Sequence, residues 1–226
     1  MQVSALLLFA MLGCAALMWL GWRQHSQVLQ SRRALLNDCR DVLERSHIEH
    51  AGDGFPRIEG VDRDRIVRVD LVSDTMTIRR LPQLWMVLTR LEARPQLAEI
   101  SILVRPTGME FYSLTEGHPH RLRVPAELPA ECLARGSDVS AQYVLDRLAP
   151  TLQSIFADPR IKEVGVTKKG LRLVWQAAEG RRGEHLLMRQ CIFDDAKVSG
   201  DALRRCLAQL DTLSCALHAL AEARAA

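Results

Sequence analysis

Aromatic side chains make up only 5% of this chain, and lysine occurs only at Lys162, Lys168, Lys169 and Lys197. No stretch is biased enough in composition to read as a flexible linker, a low-complexity tract or a charged tail. There is no GxGxxG turn and no Walker lysine loop, so nothing reads as a nucleotide cradle. GxSxG and HExxH are likewise missing, which removes the sequence signs of a hydrolase elbow and a zincin helix. The net charge of +3 is too small to argue for nucleic acid, and no such partner is expected. The preference for arginine over lysine is read as high-GC, bacterial-like codon usage. The cysteines, at positions 14, 39, 132, 191, 206 and 215, include no CxxC pair. Five lie outside the first apolar segment, an odd number that does not suit a disulfide framework. Cys206 and Cys215 are nine apart on an expected helix, on opposite faces, so they cannot share a metal. Reduced and mostly buried thiols are the reading, in keeping with a cytoplasmic domain.

What the chain does have begins at once. Val3 to Trp22 is an uninterrupted apolar run without a charge. Twenty residues in a helix span about 30 Å, the thickness of a bilayer core. Trp19 and Trp22 stand at one end, where amphipathic rings favour the interface. A cleaved signal peptide would need a basic start and a shorter apolar core. A lipoprotein signal is faintly echoed at Gly13-Cys14, but the apolar run continues past it. Residues 1–22 are therefore expected to be an uncleaved single-pass anchor, with the bilayer as partner through residues 3–22. Arg23, Arg32 and Arg33 follow the span and no Lys or Arg precedes it. The positive-inside rule then places the C-terminal part in the cytoplasm.

Residues 23–50 read as a juxtamembrane amphipathic helix. Val28-Leu29, Leu35-Leu36 and Val42-Leu43 recur every seven residues. This stripe, residues 28–43, would serve as a homodimer or protein-partner seam, or it would pack back on the chain's own domain. Glu44, His47 and His50 are spaced three apart; a surface cluster is preferred to a metal site there.

Residues 51–226 read as an α+β domain, opened by the punctuation Ala51-Gly-Asp-Gly-Phe-Pro56. Arg65–Val72 alternates as a strand, and Met76–Arg80 is a candidate partner through a Ser73-Asp74 turn. An internal repeat then aligns residues 81–124 with 145–193. Leu88, Leu91, Ala93, Pro95, Glu99, Ile100, Ile102 and Gly108 recur as Leu152, Ile155, Ala157, Pro159, Glu163, Val164, Val166 and Gly170. Each copy would be a helix followed by an antiparallel meander. The expected helices are Leu81–Ala93 and Val139–Ala157. The expected strands are Ala98–Val104, Met109–Leu114 and His120–Val124, then Lys162–Thr167, Leu171–Gln176 and Glu184–Phe193. Taken alone, Leu84-Trp-Met-Val-Leu88 also fits a buried strand. A C-terminal helix over 200–224, with Leu203, Leu207, Leu210, Leu213, Leu217 and Leu220 as its stripe, closes the domain.

The search for chemistry yields little. His118-Pro-His120 with Glu116 reads as a hairpin turn rather than a metal site, and Asp194-Asp195 as a solvated strand end. No cofactor, metal or catalytic residue is assigned. Lys168-Lys169 and Arg181-Arg182 are basic hairpin tips where copy one has Pro106-Thr107 and His118-Pro119. These four side chains are the candidate binding residues, for an acidic partner or anionic headgroups. The function expected is a membrane-anchored protein-interaction or scaffold module. The alternative is a membrane-tethered sensory or small-ligand-binding domain.

Overall fold

The computed structural model describes residues 2–74, 81–93, 97–180, 193 and 196–225, with side chains left undescribed over 2–10 and at 225. The fold is α+β. Helix α1 is Gln2–Arg33, and a 3-10 turn at Asn37–Val42 links it to the first strand. The strands are β1 Glu44–His50, β2 Pro56–Asp62, β3 Arg65–Asp74, β4 Gln83–Leu91, β5 Ile100–Val104, β6 His120–Arg121, β7 Cys132–Gly136, β8 Ile161–Thr167 and β9 Gly170–Glu179. Helix α2 is Ala141–Phe156 and helix α3 is Gly200–Ala225.

Among the described residues the strands form one nine-stranded sheet, in the order β1-β2-β3-β4-β9-β8-β5-β7-β6. Every pairing is antiparallel. Alternation aims Val67, Val69 and Leu71 of β3, and Leu84, Met86 and Leu88 of β4, at one face. Leu171 and Leu173 of β9 join them opposite Leu88 and Arg90. Helices α2 and α3 cover this face, α2 through Val144, Leu145, Leu148, Leu152 and Ile155. That spacing is a helix's single apolar stripe. On the second face Trp85, Val87 and Val174 pack with Tyr112 of the loop after β5. Gly170 opens β9 at φ +149, and a Cβ there would run into the Arg90 carbonyl, so only glycine lets β9 lie against β4.

Several expectations are corrected. Residues 83–91 are a central strand, not a helix. Buried on both faces, β4 shows a near-continuous apolar run instead of alternation, and the helical spacing of its leucines is incidental. The two repeats, 81–124 and 145–193, therefore do not share a fold. The first opens with β4 and the second with α2, and Met109–Leu114 is irregular where Leu171–Gln176 lies in β9. The segment that does match, β5 with β8, pairs with itself across the sheet, Ile102 opposite Val164. Ser73 and Asp74 belong to β3 rather than to a turn, while Met76–Arg80 lies outside the described residues, as does Glu184–Phe193 except for Phe193.

The juxtamembrane helix is also corrected: α1 ends at Arg33, and residues 44–50 are the edge strand β1. Leu35, Leu36, Cys39 and Leu43 sit in the main core. The Leu35–Leu43 part of the stripe thus packs into the chain's own core, where the 3-10 turn runs along α3, while Val28 and Leu29 are half-buried on α1. Among the described residues no helix is long and apolar enough to cross a membrane. The Val3–Trp22 run begins with eight residues, through Ala10, that fall outside the described side chains. The expected C-terminal helix is present as α3.

Candidate functional site

Of the four basic residues singled out in the sequence, the structure describes two, Lys168 and Lys169. Lys168 and Lys169 form the turn between β8 and β9. The Lys168 ammonium, 85% exposed, lies 3.6 Å from Glu99, and the Lys169 carbonyl accepts the Glu92 N–H. Gly180 follows the far end of β9, and Arg181 and Arg182, which come next, lie outside the described residues. A ten-residue strand separates Lys169 from Gly180 by about 30 Å.

The described histidines are dispersed. His47 and His50 are three apart on β1 and so point to opposite sides of the sheet. His118 is buried after a short 3-10 turn, and His120 is exposed in β6. Among the described residues no three His, Cys, Asp or Glu side chains converge as a metal site. The Asp194-Asp195 pair lies outside the described residues.

The densest polar constellation was not legible as a site in the sequence. It lies under the loop 105–118, against the second face of the sheet. A register shift in β8 between Ile161 and Glu163 inserts Lys162 as a bulge residue. Lys162 and Glu163 are consequently buried side by side. Glu163 accepts hydrogen bonds from Ser101 (2.7 Å), Ser113 (3.0 Å) and the Leu114 N–H (2.7 Å). Its second oxygen meets Arg172 at 3.0 Å, and Arg172 also donates to the Tyr112 carbonyl at 2.6 Å.

Beside it, Glu110 turns inward. It accepts the Thr107, Gly108 and Met109 N–H groups and the Thr107 hydroxyl, and it pairs with Lys162 at 2.9 Å. Lys162 donates in turn to the Arg105 carbonyl at 2.6 Å. Burial alone would raise the Glu110 pKa, but Lys162 and the Thr107 donors outweigh it and hold the carboxyl down at about 2. Burial pushes the Tyr112 phenol well above its ordinary value, with Asp74, Glu110 and Glu163 adding to it. The arrangement fastens an irregular loop to the sheet. Both carboxylates are buried and engaged by their own donors. A signal was present in the sequence, namely the adjacent charges Lys162-Glu163 inside an otherwise apolar strand.

A second cluster ties β4 to α3. Arg90 is fully buried; it meets Glu92 at 2.9 Å and Asp211 at 2.6 Å, and donates to the Leu210 carbonyl. Arg63 and Arg65 also reach Asp211, at 2.7 and 3.4 Å. Beside them an open cavity of about 300 Å³ is lined by Val42, Asp62, Arg63, Arg204, Leu207, Ala208 and Asp211.

No protein-family model, curated protein or solved structure matches this chain. The functional reading therefore rests on its own residues. The thiols among them are free: Cys39 and Cys206 are buried, Cys132 is half-buried, and Cys14 and Cys215 are exposed. Burial pushes Cys39 and Cys206 up to about 12 and Cys132 up to about 11, which keeps them as unreactive thiols at neutral pH.

Proposed function

We propose that the chain is a membrane-tethered interaction module, anchored by residues 3–22 and with its domain on the cytoplasmic side. The observation that carries the reading is the surface of α1. Met11, Leu12, Leu17, Met18 and Trp22 are 65–72% exposed and Trp19 is 55% exposed, and none of the described residues of the domain covers them. An apolar surface of this kind calls for a bilayer or a partner. Arg23 stacks on Trp19 at the end of the run, a pairing suited to the interface. The helix continues to Arg33 and closes on the domain, which would hold the domain at a fixed distance from the anchor.

The interaction role rests on how the polar groups are used. The buried carboxylates and the arginine Arg90 are engaged in fastening loop and helix. The exposed cations Lys168 and Lys169, together with Arg181 and Arg182, remain the proposed contacts for an acidic partner. The small-ligand alternative is favoured by the cavity beside Arg63 and Arg204, which presents both signs of charge.

The test of the anchor is retention in membranes through an alkaline carbonate wash. The wild-type chain should stay with the membranes, and Leu12→Arg should be released or depleted, since a mid-bilayer arginine costs about 2.5–3.5 kcal/mol. Equal release of both would remove the tether.

A further inference from the structure

We propose that the cavity between α3 and the β2–β3 turn takes a short zwitterionic peptide of about three residues, with its ammonium on Asp62 and its carboxylate on Arg204. The inference rests on the small-ligand alternative and names the ligand class for that cavity.

The lining residues lie in a row. Asp62 and Arg63 stand at the β2–β3 turn, and Arg204, Leu207, Ala208 and Asp211 share one face of α3. Arg63 meets Asp211 at 2.7 Å, so the turn lies over the Asp211 end of that face. Arg204 stands two turns earlier, about 10 Å along the helix axis, and it reaches back to Asp201 at 2.7 Å. Leu207 and Ala208, with Val42 of the 3-10 turn, make the apolar stretch between the two ends.

Most of the charges at the turn are already matched. Asp211 is held by Arg63, Arg65 and the buried Arg90, and Glu92 meets Arg65 and Arg90. Among the described residues no side chain pairs with Asp62, which leaves it as the acceptor that this end of the cavity offers. Counting Asp62, Asp64, Glu92 and Asp211 against Arg63, Arg65 and Arg90, the turn end is net negative, which suits an ammonium. At the other end Arg204 gives one of its N–H groups to Asp201. That pair is exposed on both sides and contributes little, and the remaining donors of the guanidinium fork can take a carboxylate.

The spacing selects the length. An extended peptide rises about 3.3 Å per residue, so three residues hold their terminal charges about 10 Å apart. A single amino acid cannot meet both ends. The cavity of about 300 Å³ is at the small end of ligand sites, which favours small apolar side chains over Leu207 and Ala208. Because the cavity is open, the amide groups of the middle residue stay in water. The turn itself is strained: Arg63 and Asp64 have φ of 47 and 63, positions that asparagine and glycine fill at least cost. An arginine occupies the first of them, and its ion pair with Asp211 fixes that wall before any ligand arrives, which lowers the cost of ordering on binding.

The full chain in lipid nanodiscs, with isotope-labelled alanine methyl groups, is titrated with trialanine, N-acetyl-trialanine, trialanine amide and free alanine. The Ala208 methyl resonance is followed. Trialanine should shift it saturably, and both capped peptides and free alanine should bind several-fold more weakly. In Asp62→Asn, free and acetylated peptide should bind alike while amidation still weakens binding. In Arg204→Gln, free and amidated peptide should bind alike while acetylation still weakens binding. The capped peptides probe the same two contacts on the unaltered chain, so the result does not depend on the variants folding. Wild-type binding that is indifferent to either cap overturns the proposal and leaves a ligand cavity standing. An Ala208 methyl unmoved by trialanine also overturns it, and one unmoved as well by a panel of small amines, carboxylates and amino acids ends the small-ligand reading with it.

Discussion

Glu163 lies inside the sheet because its donors meet it there, and Arg172 stands across the strand pair as its counterpart. Breaking a buried pair from one side costs more than the pair itself contributes, since the remaining charge is stranded. Glu163→Gln is expected to lower the unfolding free energy by about 3 kcal/mol, read from urea denaturation. A loss under a few tenths would show that the loop is held by other contacts. Glu110 gives the domain an acid limb. Its folded pKa is depressed to about 2, so its contribution is fully present above the ordinary carboxylate value and is lost as pH falls towards 2. Stability of the wild-type chain should decline between about pH 5 and pH 2, and Glu110→Gln should flatten that decline while lowering stability at neutral pH. Equal slopes in the two proteins would exclude Glu110 as its source. These roles were only half visible beforehand. Lys162-Glu163 breaks an apolar run, but the bulge that buries both residues together depends on the partner strand.

At the scale of elements, legibility followed how local the determining contacts are. The stripes of α2 and α3 repeat within the helix itself, and both helices lie where their spacing puts them. The strands β3, β5, β8 and β9 were likewise close to expectation. β4 was misread because a strand covered on both faces loses its alternation, and Leu84, Trp85, Leu88 and Leu91 happen to suit a helix. β1 carried no apolar pattern at all: Glu44, Arg45, His47, Glu49 and His50 are the polar covering of an edge strand. The candidate site fared similarly. Lys168 and Lys169 were correctly placed on a turn, yet their separation from Gly180 depends on the length of β9. The seven-residue stripe was real, and the tertiary fold spent it internally. Leu36, fully buried, is accordingly a core residue, and Leu36→Glu should unfold the domain, as seen in loss of the cooperative thermal transition. A folded variant that merely dissociates from a dimer would restore the seam. Gly170→Ala should cost about 2–3 kcal/mol from backbone strain, with the Arg90 carbonyl adding to it; an unchanged melting temperature would show that β9 can shift to accept a side chain.

For the whole molecule, the proposed tether would imply a direction. Cys215 is an exposed thiol on α3, so a membrane-impermeant maleimide should label it only after lysis if the domain is cytoplasmic. Labelling in intact cells with a permeabilised outer layer would reverse the orientation. The sheet order also sets a schedule for biosynthesis. β9 lies between β4 and β8, yet β4 ends at Leu91 and β9 begins only at Gly170. A ribosome moving at 5–20 residues per second needs about 4–16 s to cover that interval. Throughout it the nascent chain carries two unjoined half-sheets, with the bonding edge of β4 open and its Leu84, Met86 and Leu88 awaiting α3. If the first apolar helix is captured by the bilayer during this time, the waiting strand is held beside a membrane and apart from other nascent chains. Such a protein would depend on its tether most while it is being made, and its unanchored form would be lost chiefly to aggregation of newly synthesised chains.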